Sequence, residues 1–259
     1  MQKMLSYVRR AVDQYHMIEE GDVIAVGVSG GKDSLALLSA LAGLRRFYPK
    51  KFEVKAITLE MGYDEMDFTP VAALCQKLGV EFITEQTDIK TVVFDIRKEE
   101  NPCSLCANMR RGALNSTAKA HGCNKVALGH NREDVLETLF LSLLYEGRIC
   151  TFAPVTYLGR KDVTIIRPLI FLPEKYALSV ARQRELPVLP PHCDIAGTTK
   201  REEAKQLIQH ICTLVPDAEE KMMHAIASTE TYRLWDRMRL KPQKQTIAKN
   251  AGCEDESLQ

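Results

Sequence analysis

The alternation of short apolar runs with helical patterns constrains the fold of this chain more strongly than any other feature. Residues 23–28 read VIAVGV, a continuous apolar run of the kind found in strands buried on both faces of a parallel sheet. A helical pattern follows over about 33–46, and comparable pairs recur along most of the 259-residue chain. Strands that alternate with helices predict an α/β fold with a doubly wound, mostly parallel sheet.

The remaining elements follow from the same two patterns. Further strands are predicted over residues 52–60, 80–85, 125–129 and 163–169, and helices over 67–78, 105–121 and 132–146. Beyond residue 173 the strand pattern stops, and helices are predicted over 174–185, 198–215 and 217–240. The domain prediction is an N-terminal helix (1–20), a sheet domain (21–172), a C-terminal helical region (173–242) and a disordered tail (243–259).

Composition and charge exclude several classes of protein. Hydrophobic residues make up 45% and charged residues 27% of the chain, with a formal charge of +1, which rules out general disorder and collagen-like fibres. The near-neutral charge argues against nonspecific nucleic-acid binding but allows local basic patches. No apolar stretch reaches the roughly 18 residues of a membrane span. The first 20 residues show an amphipathic helical pattern rather than a secretory signal, so a cytoplasmic protein is expected.

The segment between the first strand and the first helix reads SGGKDS at residues 29–34. Gly30 and Gly31 permit a tight turn in which several backbone N–H groups converge on phosphate oxygens. The N-terminus of the following helix adds its positive end. The other positions supply a cation for phosphate, a ligand for Mg²⁺ and two hydroxyl donors: Lys32, Asp33, Ser29 and Ser34.

The alternative interpretation of this segment is a plain strand-to-helix turn capped by Ser or Asp. The segment matches neither the Walker A pattern nor the dinucleotide-binding fingerprint. The whole hexapeptide, placed between a buried strand and a helix, nevertheless favours nucleotide binding.

A second candidate site follows the fourth strand, where residues 129–134 read GHNRED. Asp134 and Glu137 lie three positions apart, hence on one face of the following helix. A carboxylate at this edge of a sheet can coordinate Mg²⁺ or accept a proton. The alternative is that both carboxylates merely suit the first turn of the helix, and that His130 is a core histidine.

The eight cysteines of the chain include one close pair, Cys103 and Cys106. A Cys-x-x-Cys pair that opens a helix can be a redox dithiol, half of a zinc site or part of an iron–sulfur site. The sequence has no second such pair to complete a zinc set, and a thioredoxin-like pair would follow the first strand, not the third. Cys193 is the remaining candidate partner. Three thiolates suit a cubane [4Fe-4S] cluster with one open iron, although three ordinary thiols could have the same spacing.

These motifs carry a family resemblance. SGGKDS resembles the PP-loop of the ATP pyrophosphatase superfamily, whose members cleave ATP between the α- and β-phosphates and adenylate a substrate. Together with GHNRED, Cys103, Cys106 and Cys193, it resembles the TtcA family, the tRNA cytidine 2-sulfurtransferases, over most of the chain. Arg201, eight residues after Cys193, and the IRPL segment at 166–169 also fit that pattern.

The resemblance implies an ATP- and Mg²⁺-dependent tRNA thiolase that carries a [4Fe-4S] cluster. Its sheet domain would be the PP-loop ATP-binding domain, its sulfur donor sulfide or a cysteine desulfurase, and its oligomeric state a homodimer. The residues implied to bind ATP are Ser29, Gly30, Gly31, Lys32, Asp33, Ser34, Thr58, Gly129 and His130. Those implied in catalysis are Asp134, Lys32 and Cys106, the cluster ligands are Cys103, Cys106 and Cys193, and Asp33 is the candidate ligand for Mg²⁺.

Two positions depart from the family pattern. GHNRED resembles the G-H-x-x-D-D block of tRNA-modifying PP-loop enzymes, and Glu133 stands where that block often has Asp. Only Asp134 therefore carries over, and a metal role for Glu133 is left open. The third-cysteine region reads PPHCDIAGTTKR, with one cysteine where family members commonly carry a pair. A uridine or small-molecule substrate is therefore one alternative, and a non-catalytic, ATP-binding redox sensor is another.

Basic residues near these motifs are candidates for contact with RNA. Arg110 and Arg111 follow the cysteine pair, and Arg201 follows the third cysteine. Most basic residues of a globular protein simply form solvated faces. An enzyme that acts on a loop base must hold that base splayed out in a pocket, and these three arginines are the candidates to contact the RNA around it.

Overall fold

The computed structural model describes residues 1–63, 66–98, 102–190 and 200–228. Its strands are β1 (Asp22–Gly27), β2 (Phe52–Glu60), β3 (Glu81–Gln86), β4 (Lys125–Ala127), β5 (Val155–Leu158) and β6 (Val163–Ile166). They form one sheet in the order β3-β2-β1-β4-β6-β5. All neighbouring pairs are parallel except β5 and β6, which are antiparallel.

Helices connect and flank these strands. The α-helices are α1 (Gln2–Gln14), α2 (Lys32–Leu44), α3 (Thr69–Leu78), α4 (Pro102–Ala120), α5 (Arg132–Tyr145), α6 (Glu174–Gln183), α7 (Lys200–Leu214) and α8 (Ala218–Ala227). A π-helix covers Thr91–Arg97. No helix in the described ranges combines the length and the apolar character needed to cross a membrane.

The predicted α/β class with a mostly parallel sheet is confirmed. β2 has the predicted bounds, and the other four predicted strands begin within one residue of their expected positions. Gly79 ends α3 with a φ of 63°, the left-handed conformation that a C-terminal glycine adopts without strain. The predicted tail 243–259 and residues 229–240 of the last predicted helix lie outside the described residues.

Several strand and helix predictions differ from the structure. Among the helices, α1 ends at Gln14 rather than at residue 20, α4 begins at Pro102 rather than at residue 105, and α8 ends at Ala227 rather than at residue 240. β5 was not predicted; it forms a hairpin with β6, and Asp162 in the turn has a φ of 49°. The π-helix was not predicted either, since such helices are rare and lack a local pattern. The helix expected from residue 67 begins at Thr69, because the Asp67 carboxylate accepts the Thr69 N–H at 2.8 Å and so occupies the turn before the helix.

The core lies along β1 and α2. The helix α2 is buried almost all round, with Leu35, Leu37, Leu38 and Leu41 fully inaccessible, because it lies between the sheet, α1 and α6. After its first turn this helix is apolar on almost every face, and such a helix needs burial all round.

The chain divides into two compact units. Among the described residues, the first contains 1–135 and 154–190, and the second contains 136–153 and 200–228. The first unit therefore holds α1, the whole sheet and α6. The domain boundaries at residues 20, 172 and 242 stay a prediction.

A buried ion pair connects the starts of β1 and β4 in the first unit. Lys125 Nζ at the start of β4 lies 2.7 Å from Asp22 Oδ2 and donates to the Met17 carbonyl at 2.9 Å. Asn124 Nδ2 donates to the second oxygen of Asp22 at 2.7 Å. Because every group is partnered, the pair joins β1, β4 and the segment after α1 without leaving a lone buried charge.

Candidate active site

The two nucleotide-site motifs follow neighbouring strands at the centre of the sheet. β1 and β4 pair in parallel, with Val26 beside Ala127. β2 lies on the far side of β1, and β6 lies on the far side of β4. Connections that diverge from two such strands open a crevice at their carboxyl ends, where doubly wound sheets bind ligands. The SGGKDS and GHNRED segments both lie at this edge.

The SGGKDS loop is held by its own hydrogen bonds. Ser34 Oγ accepts the Ser29 N–H at 3.2 Å and donates to the Gly31 carbonyl at 2.8 Å. Gly30 has a φ of 80°, which glycine adopts without strain. Within the described chain no side chain caps α2, which starts after Gly31. Its first N–H groups can therefore serve an anion, as phosphate-binding loops require.

At two glycines of the motifs, a side chain would lie unusually close to neighbouring atoms. A Cβ at Gly30 would lie 2.8 Å from Leu189 Cδ1, and the Leu189 N–H donates to the Gly30 carbonyl at 3.0 Å. A Cβ at Gly129 would lie 3.1 Å from the Asp33 carbonyl carbon and from the Ser34 nitrogen. Glycine at position 129 thus allows the strand end of β4 to touch the first turn of α2.

Lys32 lies between two carboxylates. Its Nζ is 2.8 Å from Asp33 Oδ2 and 2.8 Å from Glu174 Oε1, and all three side chains are about three-quarters buried. Burial alone would lower the pKa of Lys32, but hydrogen bonds and charge from Asp33 and Glu174 outweigh it and raise that pKa. Lys32 is therefore held as a cation at the loop where phosphate is expected.

Asn131 connects the two motifs. Its side-chain Nδ2 lies 3.3 Å from Asp33 Oδ1, and the residue is almost fully buried. Asn131 Oδ1 accepts the Asp134 N–H at 3.1 Å, and Asp134 Oδ2 accepts the Asn131 N–H at 2.9 Å. This reciprocal pair is a capping box at the start of α5. Asp134, predicted to be catalytic, is thus fixed in position by the helix that it caps.

The other acidic residues of this helix have different partners. Glu133 Oε2 accepts the Glu174 N–H at 2.8 Å, at the first residue of α6. Its second oxygen accepts from Arg132 at 3.2 Å. Glu137 belongs to the second unit, is almost fully buried and pairs with Arg201 at 3.2 Å. Arg201, a candidate RNA contact, is therefore engaged with a carboxylate.

His130 has a defined hydrogen-bonding partner. The buried Arg167 donates from Nε to His130 Nδ1 at 3.3 Å and from Nη1 to Thr156 Oγ1 at 3.3 Å. A guanidinium has only donors, so Nδ1 must be the acceptor and the neutral imidazole carries its proton on Nε2. Thr156 lies on β5, the strand that was not predicted, so the predicted elements alone could not place this contact.

Thr58, predicted to border the adenine, is buried in the sheet. Its hydroxyl donates to the Val28 carbonyl at 2.9 Å, just before the SGGKDS loop. The contact joins the carboxyl end of β2 to that of β1. A role of Thr58 in binding ATP stays a prediction.

The cysteine pair opens α4, as predicted. Cys103 is exposed and Cys106 is half-buried, and neither forms a disulfide. Residues three apart lie on one face of a helix, so both thiols are presented together. α4 packs against β2 and β4, and Leu114 lies beside Gly27 at the end of β1. A helix that follows a strand in a parallel sheet begins at the carboxyl edge, which places the pair at the same edge as the nucleotide motifs.

The donor set fits an iron–sulfur cluster as far as the described residues extend. Cys103 and Cys106 are two accessible thiols on one helical turn, and cysteine sulfur is the ligand that iron–sulfur clusters require. Cys193 lies outside the described residues, and within those residues no group of three potential metal ligands is assembled. Burial raises the pKa of the Cys75 thiol to about 11 and that of Cys123 above its usual value, so these two thiols suit a packed core.

The arginines that follow the cysteine pair differ from each other. Arg110 is exposed, whereas Arg111 is half-buried and donates to its own helix, at Ala107 and Asn108. A role of Arg110, Arg111 or Arg201 in binding RNA stays a prediction. The sequence did not single out Glu174 or Asn131, whose contacts with Lys32 and Asp33 depend on tertiary packing.

Comparison with known proteins identifies the family of the chain. The PP-loop domain family matches residues 4–188 of the chain. The tRNA-cytidine(32) 2-sulfurtransferase of Geobacter metallireducens is 35% identical over 238 residues, which cover 91% of this chain and 93% of that protein. The protein of the same name from Ralstonia pickettii is 35% identical over 206 residues, covering 79% of this chain and 65% of that protein.

Solved structures share the fold. The U34-tRNA thiolase NcsA from Methanococcus maripaludis, solved with its [4Fe-4S] cluster, superimposes with a TM-score of 0.72 at 24% identity, covering 86% of this chain and 76% of that one. NMN synthetase from Francisella tularensis superimposes with a TM-score of 0.50 at 16% identity, covering 81% of this chain and 84% of that one. From its sequence relatives, the chain belongs to the PP-loop family and, within it, to the tRNA-cytidine(32) 2-sulfurtransferase family of enzymes.

Proposed function

We propose that this protein thiolates a cytidine of tRNA at its 2-position, at the expense of ATP, and that the cytidine is position 32. The observation that carries the proposal is the placement of three motifs at one edge of the sheet: the SGGKDS loop, the GHNRED segment and the cysteine pair. The relatives at 35% identity are named for this reaction, which favours cytidine over uridine.

The first half of the reaction activates the base. The 2-oxygen of the cytidine attacks the α-phosphate of ATP, an oxygen–phosphorus bond forms, and the bond to pyrophosphate breaks. Lys32 and the N–H groups of the first turn of α2 would stabilise the charge that develops on the phosphates. Asp33 and Asp134 are the candidate carboxylates for Mg²⁺, and Asp134 is alternatively the group that accepts a proton.

The second half of the reaction replaces the oxygen. Sulfide attacks C2 of the adenylated base, a carbon–sulfur bond forms, and AMP leaves with the original oxygen. Cys103, Cys106 and Cys193 would hold a [4Fe-4S] cluster, which when bound would supply the sulfur atom. Its source is sulfide, taken up directly or released from the persulfide of a cysteine desulfurase by a thiol reductant. Adenylation turns a poor oxygen leaving group into a good one, which is why ATP is required.

The test is reconstitution under anaerobic conditions. Purified protein is analysed for iron and by ultraviolet–visible spectroscopy, then incubated with unmodified tRNA, ATP, Mg²⁺ and sulfide, and the tRNA is digested to nucleosides. The proposal expects 2-thiocytidine, released AMP and pyrophosphate, and no product when ATP is omitted.

Other products would overturn parts of the proposal in distinct ways. Appearance of 2-thiouridine would contradict cytidine as the substrate. A colourless, iron-free protein that binds ATP but releases no pyrophosphate would contradict catalysis and favour a redox sensor. Nucleosides from a strain that lacks the protein provide the independent check, because 2-thiocytidine should disappear from its tRNA.

A further inference from the structure

We propose that Glu174 is a positioning residue of the ATP site, which holds the Lys32 ammonium in place for a phosphate oxygen. The sequence motifs do not include Glu174, because it lies in the segment after β6, far along the chain from the SGGKDS loop. The proposal deepens the proposed function and rests on it, since it assumes that the loop binds ATP.

The geometry around Lys32 allows its ammonium to contact two carboxylates and a phosphate oxygen at the same time. An ammonium has three N–H donors. Asp33 Oδ2 and Glu174 Oε1 each lie 2.8 Å from Nζ, and these are the ion pairs of Lys32 within the described residues. Two carboxylates thus fix the direction of the side chain, and the third N–H is left to donate to a phosphate oxygen. Glu174 does not have to leave when ATP binds.

Glu174 is itself fixed by the GHNRED segment. Its backbone N–H donates to Glu133 Oε2 at 2.8 Å, and the Arg132 N–H donates to the Leu172 carbonyl at 3.1 Å. Pro173 precedes it at the N-cap of α6 with a φ of −59°, which restricts the chain at that point. The start of α6 is therefore tied to the start of α5, and Glu174 extends from this junction to Lys32.

These contacts also assign a role to Glu133. The family resemblance left open whether Glu133 binds metal. Here its carboxylate occupies the N-terminus of α6, where a negative charge is favoured by the unpaired N–H groups of the helix. Glu133 thus acts on Lys32 through Glu174, and the two motifs are connected by side chains as well as by sheet pairing.

The test measures the chemical reactivity of Lys32 in the full-length protein. Trace acetic anhydride modifies accessible amines, and peptide mass spectrometry reports the extent of modification at each lysine at one fixed pH. We expect Glu174→Gln to increase labelling of Lys32 several-fold, because the amine then has one carboxylate partner instead of two and is held less tightly. The same variant should bind α,β-methylene-ATP about tenfold more weakly, a typical cost of losing one charge-assisted contact.

Three further variants separate positioning from general damage. Glu53→Gln removes an exposed carboxylate on β2 of the same unit and should change neither quantity. Glu174→Asp keeps a charge on a shorter side chain and should recover part of the ATP-analogue affinity. Glu133→Ala should produce a smaller effect in the same direction as Glu174→Gln. A thermal melt of each variant confirms that the protein is folded.

The outcomes distinguish this proposal from the proposed function. If Lys32 labelling and ATP-analogue affinity are the same in Glu174→Gln and in the parent protein, the positioning role is wrong, whatever the thiolation assay shows. If labelling rises and affinity falls as expected while the parent makes no 2-thiocytidine, the role of Glu174 stands and the proposed reaction fails. Equal loss in Glu53→Gln would also contradict the proposal.

Discussion

The SGGKDS loop and the first turn of α4 lie at the same edge of the sheet but are built in opposite ways. The loop is closed by its own serine hydrogen bonds, and Lys32 and Asn131 each have named partners. The first turn of α4 presents Cys103 exposed and Cys106 half-buried. We call the SGGKDS and GHNRED segments the nucleotide half of the site, and the first turn of α4 with its two cysteines the cysteine half. Contacts within the protein organise the nucleotide half, whereas the cysteine half is suited to bind an added group.

This difference indicates that the two halves can fail separately. Preorganised donors need no rearrangement when ATP binds, so the nucleotide half should tolerate loss of the cluster. A metal-type site, by contrast, is lost when one ligand is removed, because binding depends on the complete set. The predictions below test that independence.

The largest effect is expected from Cys106→Ala. Removing one of three proposed ligands should abolish iron binding and 2-thiocytidine formation while ATP-analogue affinity stays within about twofold. Iron content, the visible spectrum and calorimetric titration with the analogue measure the three properties. Ser104→Ala, a change in the same helical turn, is the matched control. Full thiolation activity without loss of colour would contradict the cluster.

The second-largest effect is expected from the buried ion pair between Lys125 and Asp22, at the first residues of β4 and β1. Lys125→Met removes the partner of the buried Asp22, so the free energy of unfolding should fall by about 3 to 5 kcal/mol. Urea denaturation followed by circular dichroism measures it. Lys119→Met breaks an exposed ion pair with Asp162 in the same unit and should leave the urea midpoint unchanged. Similar midpoints for both variants would show that the Lys125 pair contributes little.

Gly129→Ala tests the independence of the two halves from the other side, because it alters the nucleotide half and leaves the cysteines unchanged. The new Cβ would meet the α2 backbone at 3.1 Å, so the first turn of α2 must move and ATP-analogue affinity should fall at least tenfold, about 1.4 kcal/mol. Iron content should stay the same. Gly112→Ala in α4 has open space around its Cβ and should stabilise the helix by about 0.5 to 1 kcal/mol. If Gly129→Ala also loses iron, the two halves are coupled.

The smallest effect concerns the buried thiols. Burial raises the pKa of Cys75 from about 9 to about 11. Because the unfolded thiol ionises first, this thiol contributes stability that is complete below about pH 9 and is lost as pH rises towards 11. The pH dependence of urea midpoints should therefore be shallower above pH 9 in Cys75→Ala than in the parent.

The burial of these thiols also predicts their order of alkylation. In iron-free protein at pH 8, iodoacetamide should modify Cys103 well before Cys75 or Cys123; the reverse order would contradict their burial.

Much of the fold could be predicted because it depends on local patterns. Apolar runs identified β1, β2 and β3, and the glycine after α3 marked the end of that helix. β5 escaped prediction although its four residues VTYL precede a turn and another β-branched run, which is a hairpin signal. The prediction assumed that every strand is followed by a helix and pairs in parallel. β5 does neither, because it forms an antiparallel hairpin with β6 at the edge of the sheet.

The candidate site was predictable only in part, for the same reason. The sequence located SGGKDS, GHNRED and the cysteine pair, because each is a compact run of residues. Spacing left Asp134 and Glu137 as equivalent carboxylates of one helix face, and only the family resemblance favoured Asp134. In the structure Asp134 closes a capping box with Asn131, whereas Glu137 pairs with Arg201 in the second unit. Their different partners come from packing, which spacing along a helix does not encode.

The sequence by itself determined the class of fold, the order of the motifs and the chemistry that each residue type can perform. Periodicity and spacing act over a few residues, so they carry this information directly. Only the tertiary structure decided that Lys32 is held by Glu174, that Glu133 caps α6 and that Arg167 orients His130. Each of these contacts joins residues far apart along the chain, and such contacts exist only once the sheet has brought the strand ends together.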